Sequence, residues 1–227
     1  MRIALRALLL ALPVSFACVP IHAAVLVAPI SGQFPDVFGS YCSTGCTQLA
    51  YTSSTETDTT ATFTATLNAA VYTDPSNTFC AGCLDFVFQI SNSANSTDGI
   101  GRVTAFDFAG FSVDAGYSTT APGSGGGTTF ATGTDAPGLF DRVTSDTVGF
   151  QFASSPTAAI APGQTSYILL IETNATHYTT GIVSAEDGGT ATFAAFEPTA
   201  AVPEPASALM LGLGMVLFGT IRRPRRG

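Results

Sequence analysis

The stretch "ATFTATLNAAVY" (residues 61–72) alternates without a break: Phe63, Ala65, Leu67, Ala69 and Val71 fall on one side, and Thr62, Thr64, Thr66 and Asn68 on the other. An apolar period of two over a dozen residues is the pattern of a strand with one buried and one wetter face. The same rhythm returns in "LDFVFQIS" (84–91), with Leu84, Phe86, Phe88 and Ile90 inward, and in "DTVGFQFA" (146–153), with Val148, Phe150 and Phe152 inward. It returns again in "TSYILLIET" (165–173) through Tyr167, Leu169 and Ile171. In "GIVSAEDGGTATFAAF" (181–196), Asp187-Gly188-Gly189 separates two β-prone runs, where glycine supplies the positive φ of a tight hairpin.

Between these runs lie the Gly-, Pro-, Asn- and Asp-rich stretches 91–101, 119–129 and 134–141, which read as surface connections. No mature segment repeats apolar residues at helical spacing over three turns. The expected fold is therefore all-β, an antiparallel β-sandwich of about six to nine strands, followed by a single short C-terminal transmembrane helix.

Both ends of the 227-residue chain are distinct from this middle. Arg2 and Arg6 precede an apolar stretch that exits through Ala23-Ala24, the pattern of a secretory signal peptide over residues 1–23. Residues 24–200 then form one exported domain, and 201–227 a separate tail. The chain has no lysine, and between the signal and the tail its only cationic side chains are Arg102 and Arg142 against fifteen acids, a formal charge of −13. Such a surface repels phosphate backbones, so nucleic acid is not an expected partner.

The tail holds Pro203-Glu204-Pro205, then sixteen uncharged residues from Ala206 to Ile221, then Arg222, Arg223, Arg225 and Arg226. As a helix the apolar run is about 24 Å long, short of a hydrocarbon layer of about 30 Å. The arginines favour the cytoplasmic side, which leaves the domain outside the inner membrane. The two prolines keep the preceding peptide extended. In this order the segment closely resembles the PEP-CTERM sorting signal.

That resemblance implies export by a Gram-negative bacterium that makes exopolysaccharide. It also implies recognition of Pro203, Glu204 and Pro205 by exosortase, a membrane-embedded cysteine protease, and transient anchoring before delivery to the cell surface or extracellular matrix. "CLDFVFQISN" and "RVTAFDFAGFSVDAGY" also resemble the β-rich domains found on such proteins. The expected protein is a non-catalytic surface or biofilm-matrix component without a cofactor. A carbohydrate-binding module, with Tyr51, Tyr117 and Tyr178 as aromatic candidates, and a glycan-active enzyme stand as alternatives.

Other constellations are sparse. Cys42, Cys46, Cys80 and Cys83 are an even number of thiols in an oxidising compartment, and read as two disulfides in any of three pairings. A four-thiolate zinc site and a redox pair at Cys80 and Cys83 are the competing readings. His177 is the only histidine left after signal removal and reads as exposed, and no GxSxG or HExxH motif is present. Asp85, Asp107, Asp114, Asp141 and Glu172 lie in or beside strands and read as outward, solvated acids, although glycoside hydrolysis needs only two carboxylates suitably separated. "STDGIG" and "AEDGG" join acids to glycine without the spacing of a calcium loop, and no metal site is expected. Thr62, Thr64 and Thr66 form one row of hydroxyls, where an ice- or sugar-binding face needs several stacked strands. Asn95 and Asn174 match glycosylation acceptors.

Overall fold

A computed structural model describes residues 26–33, 36–39, 41, 42, 45–122, 130–153 and 158–200. The signal peptide, the proline motif, the apolar span, the arginine end and part of the 119–129 connection lie outside the described residues. Twelve strands form, in chain order β1 (Ile30–Gln33), β2 (Asp36–Val37), β3 (Thr47–Thr57), β4 (Thr64–Asp74), β5 (Cys83–Asn92), β6 (Arg102–Ala105), β7 (Val113–Ser118), β8 (Leu139–Arg142), β9 (Val148–Gln151), β10 (Ile168–Thr173), β11 (His177–Asp187) and β12 (Gly189–Thr199). No helix occurs among the described residues.

The strands build two six-stranded sheets, in the orders β1-β8-β9-β6-β11-β12 and β2-β7-β10-β5-β4-β3. Every pairing is antiparallel except that of the two-residue β2 with β7. The alternation read from 61–72 holds: Phe63, Ala65, Leu67, Ala69 and Val71 are all in the core. So are Leu84, Phe86, Phe88, Ile90, Val148, Phe150, Phe152, Leu169 and Ile171. The side chains from β4, β5 and β10 meet Val103, Val148, Phe150, Val183, Ala185 and Phe193 from the other sheet, so one apolar layer joins the two sheets. The hairpin at Asp187-Gly188-Gly189 is present, with Gly188 at φ 72° and eleven register pairs from Asp187↔Gly189 to His177↔Thr199.

Twelve strands exceed the six to nine expected. Five of the six unforeseen strands, β1, β2, β6, β7 and β8, have between two and six residues and lie outside the alternating runs read above. β8 lies partly within 134–141, which reads as a connection. β3 has eleven residues but is an edge strand with hydroxyl side chains on both faces, so it lacks an apolar stripe.

A second apolar group covers the outer face of the β5 sheet. Ala70, Tyr72, Val87, Ile168 and Leu170 point away from the main core and are covered by Tyr41, Cys42 and Cys46. β5 is consequently buried on both faces, and nine of its ten residues are buried. Arg142 is also internal, donating to the carbonyls of Leu26, Phe108, Phe111 and Ser145 at 2.8–3.0 Å.

Phe86 is fully buried, so Phe86→Ala should destabilise the protein by about 3–5 kcal/mol, whereas Thr55→Ala on the exposed edge should change stability by less than about 0.5 kcal/mol. Urea midpoints of the two variants would check the contrast, and equal shifts would contradict the assigned core.

Candidate functional site

Strand alternation accounts for an unusual group of acids. Because Leu84 and Phe86 face the core, Asp85 between them faces outward, and the register places it opposite Tyr72 on β4 and Glu172 on β10. Glu172 in turn stands opposite Asp114 on β7. Three neighbouring strands thus carry acids in one row. The reading of solvated acids is right about direction and wrong about water: Asp85, Asp114, Asp141 and Glu172 are all buried, and of the five only Asp107 is exposed. The cover over this face, contributed by Tyr41, Cys42, Cys46 and the 74–83 turn, excludes solvent from Asp85 and Glu172.

The cover is hydrogen-bonded to the acids. The Tyr41 hydroxyl donates to Asp85 Oδ2 at 2.9 Å, and Asn77 Nδ2 donates to Asp85 Oδ1 at 2.6 Å. The Thr78 amide donates to Glu172 Oε2 at 3.1 Å. Asp74, at the end of β4, accepts from the Ser76 amide and hydroxyl at 2.7 and 2.6 Å. Carboxylate oxygens of Asp74, Asp85 and Glu172 all lie within 4.8 Å of one another.

Burial pushes Asp85 well above the usual carboxylate range, and the charges of Glu172 and Asp74 add to it against the donors Asn77 and Tyr41. Burial likewise raises Glu172, aided by Asp74 and opposed by the Thr78 bonds. Three hard oxygen ligands in this arrangement suit either shared protons or one divalent cation, so these are the residues that would hold a metal.

The four cysteines pair locally, Cys42 with Cys46 and Cys80 with Cys83. This chooses among the three pairings and consumes the thiols that zinc or an open redox pair would need. Each bond closes a short loop at the margin of the cover, and in the chain-entropy model so short a loop stabilises by about 2 kcal/mol.

The remaining candidates are dispersed. Arg102 forms a bidentate pair with Asp141 at 2.7 and 2.8 Å, joined by Gln151, and lies so close over Gly149 that a Cβ there would collide with the guanidinium. Burial opposes the Asp141 charge, but Arg102 and Gln151 outweigh it and hold this carboxyl below its usual value.

The two glycine loops "STDGIG" and "AEDGG" do meet, through Gly101 N donating to Glu186 O. The three-carboxylate group nevertheless occurs elsewhere among the described residues. Thr64 and Thr66 share hydrogen bonds with Thr57 and Thr55, and Thr62 turns to Asp58. Tyr51 packs edge-on to Phe130, Tyr117 stacks on Tyr167, and Tyr178 packs against Phe196, three separate places. His177 is exposed, as are Asn95 and Asn174, the latter accepting from the Ser112 amide.

A second carboxylate group lies near the end of β12. Glu197 sits over the bare backbone of Gly181, where a Cβ would collide with it. Burial, a hydrogen bond with Asp107, and the charges of Asp107 and Asp146 push Glu197 up to about 7.

Residues 201–226 match the family model of the PEP-CTERM protein-sorting motif. No curated protein and no solved structure matches the chain. The chain carries this sorting motif directly after β12, and the motif implies export, transient membrane anchoring and processing by exosortase, a membrane protease.

Carboxyls raised on folding contribute stability that is complete below their unfolded values and is lost as pH rises through the folded ones. Asp85→Asn removes the charge while keeping partners for Asn77 and Tyr41. It should therefore stabilise the protein at neutral pH and flatten the decline as pH rises above about 4. Asp85→Ala strands both donors and should cost about 1–3 kcal/mol. Denaturant midpoints from about pH 4 to neutrality test this, and an unchanged pH slope in Asp85→Asn would count against the buried-charge assignment. Replacing Cys42 and Cys46 by serine together should cost about 2 kcal/mol in the same assay.

Proposed function

We propose that this protein is a non-catalytic component of the cell surface or exopolysaccharide matrix, held briefly in the inner membrane by its tail and then cut near Pro203-Glu204-Pro205. The observation that carries the reading is the match of residues 201–226 to the sorting motif. The order of the segment supports it, because the arginines at 222–226 keep one end cytoplasmic while the signal peptide sends the domain outward. Two disulfides in the domain agree with an oxidising destination.

The buried carboxylates are read as structural in this account, since Tyr41, Asn77 and Thr78 occupy the positions from which a substrate would approach them. Carbohydrate recognition has less support, because Tyr51, Tyr117 and Tyr178 do not share an aromatic platform.

A tag behind Ala24 and another after Gly227 separate the outcomes. In the native host the mature form should keep the first tag and lose the second. Replacing Pro203, Glu204 and Pro205 together by alanine should leave a doubly tagged form in the membrane fraction. A doubly tagged wild-type protein in the presence of exosortase would refute the proposal.

A further inference from the structure

One end of the sandwich is set apart by the course of β12, which stays paired with β11 as far as Thr199↔His177. Around that terminus Leu84 N donates to Ala175 O at 2.9 Å, Ser112 N to Asn174 Oδ1 at 2.9 Å, and the Tyr178 hydroxyl to Leu49 O at 3.4 Å. The β3–β4 pairing ends there at Thr47↔Thr73, and β4–β5 at Asp74↔Cys83. Both disulfides and the 107–112 connection therefore lie at the end from which the tail departs. At the far end are the turns 58–63, 93–100 and 161–164, where Thr59 N donates to Thr190 O and Gly163 N to Asn92 O.

The tether is short. Only Ala200, Ala201 and Val202 separate the last strand residue from Pro203, and a chain pulled straight reaches about 14 Å from Thr199 to Pro203. The eleven residues of β12 set the far end about 34 Å beyond Thr199. A folded domain on such a tether cannot turn its far end to whatever holds the motif. Lengthening the tether means opening β11–β12 pairs and uncovering Pro198, which is buried.

We infer that the sandwich is presented for cleavage in one fixed attitude, with its disulfide-bearing end, around Ala109 and Thr176, seated on the outward surface of the membrane-embedded processing enzyme. This rests on the sorting reading above and adds the face that meets the enzyme.

The test uses the full chain in its host, with a photoreactive phenylalanine placed singly at four exposed positions and at one position of the tether. Ala109 and Thr176 mark the near end, Ala94 and Ala161 the far end, and Val202 marks the tether. The expected result is adducts to the enzyme from Val202, Ala109 and Thr176, and background from Ala94 and Ala161. A flexible spacer of about 20 residues after Ala200, with a mean reach of about 25 Å, should leave cleavage intact and erase the contrast between the ends.

Adducts from Val202 with equal labelling of both ends in the unextended chain would overturn the fixed attitude and leave sorting standing. So would adducts from Val202 with none from either end, or a contrast that survives the spacer. No adduct from Val202, together with continued loss of the tail when Pro203 and Glu204 are replaced, would overturn the sorting reading and this inference with it.

Discussion

Burial of β5 on both faces is the constraint from which the rest of the molecule follows. Side chains on a strand must alternate, so filling the core with Leu84, Phe86, Phe88 and Ile90 commits Asp85, Val87 and Gln89 to the opposite face. Val87 joins Ala70, Tyr72, Ile168 and Leu170 in an apolar patch that needs its own cover. The cover arrives as Tyr41, Cys42 and Cys46 together with the 74–83 turn, with a short disulfide in each part. Once it is in place, a carboxylate that was merely outward becomes enclosed.

The scarcity of cations sharpens this. Arg102 is committed to Asp141, and Arg142 to four carbonyls. Neither is available to Asp74, Asp85 or Glu172, so these acids rely on neutral donors from Tyr41, Asn77, Ser76 and Thr78. Enclosed like charges oppose each other and favour protonated or cation-bound forms. The arginines act as internal fasteners, and the mature domain's formal charge is almost wholly negative.

Legibility followed length and period. Four of the strands announced themselves through alternation, and the two of the β11–β12 hairpin through their glycine turn. β3 did not, because an edge strand needs no apolar face, and its serines and threonines look like loop. The acid group was hidden for another reason. Asp85 sits in a run whose alternation correctly points it outward, but whether an outward residue meets water depends on a segment some forty residues earlier, joined to it by the Tyr41 bond. Local pattern carries no record of such a cover. The disulfide pairing was equally undetermined, since compartment and count fix the number of bonds and leave their partners open. The sorting motif was the clearest signal of all, because its three parts lie within one short contiguous stretch.

The way β12 leaves the domain also sets how the molecule bears load. A pull on the tail directed away from the domain runs along the strand axis, so it shears the eleven-pair ladder with β11 and strains its rungs together. Tugging from the side would instead open them one after another, as a zip. A protein hauled by this end resists as a glued lap joint does.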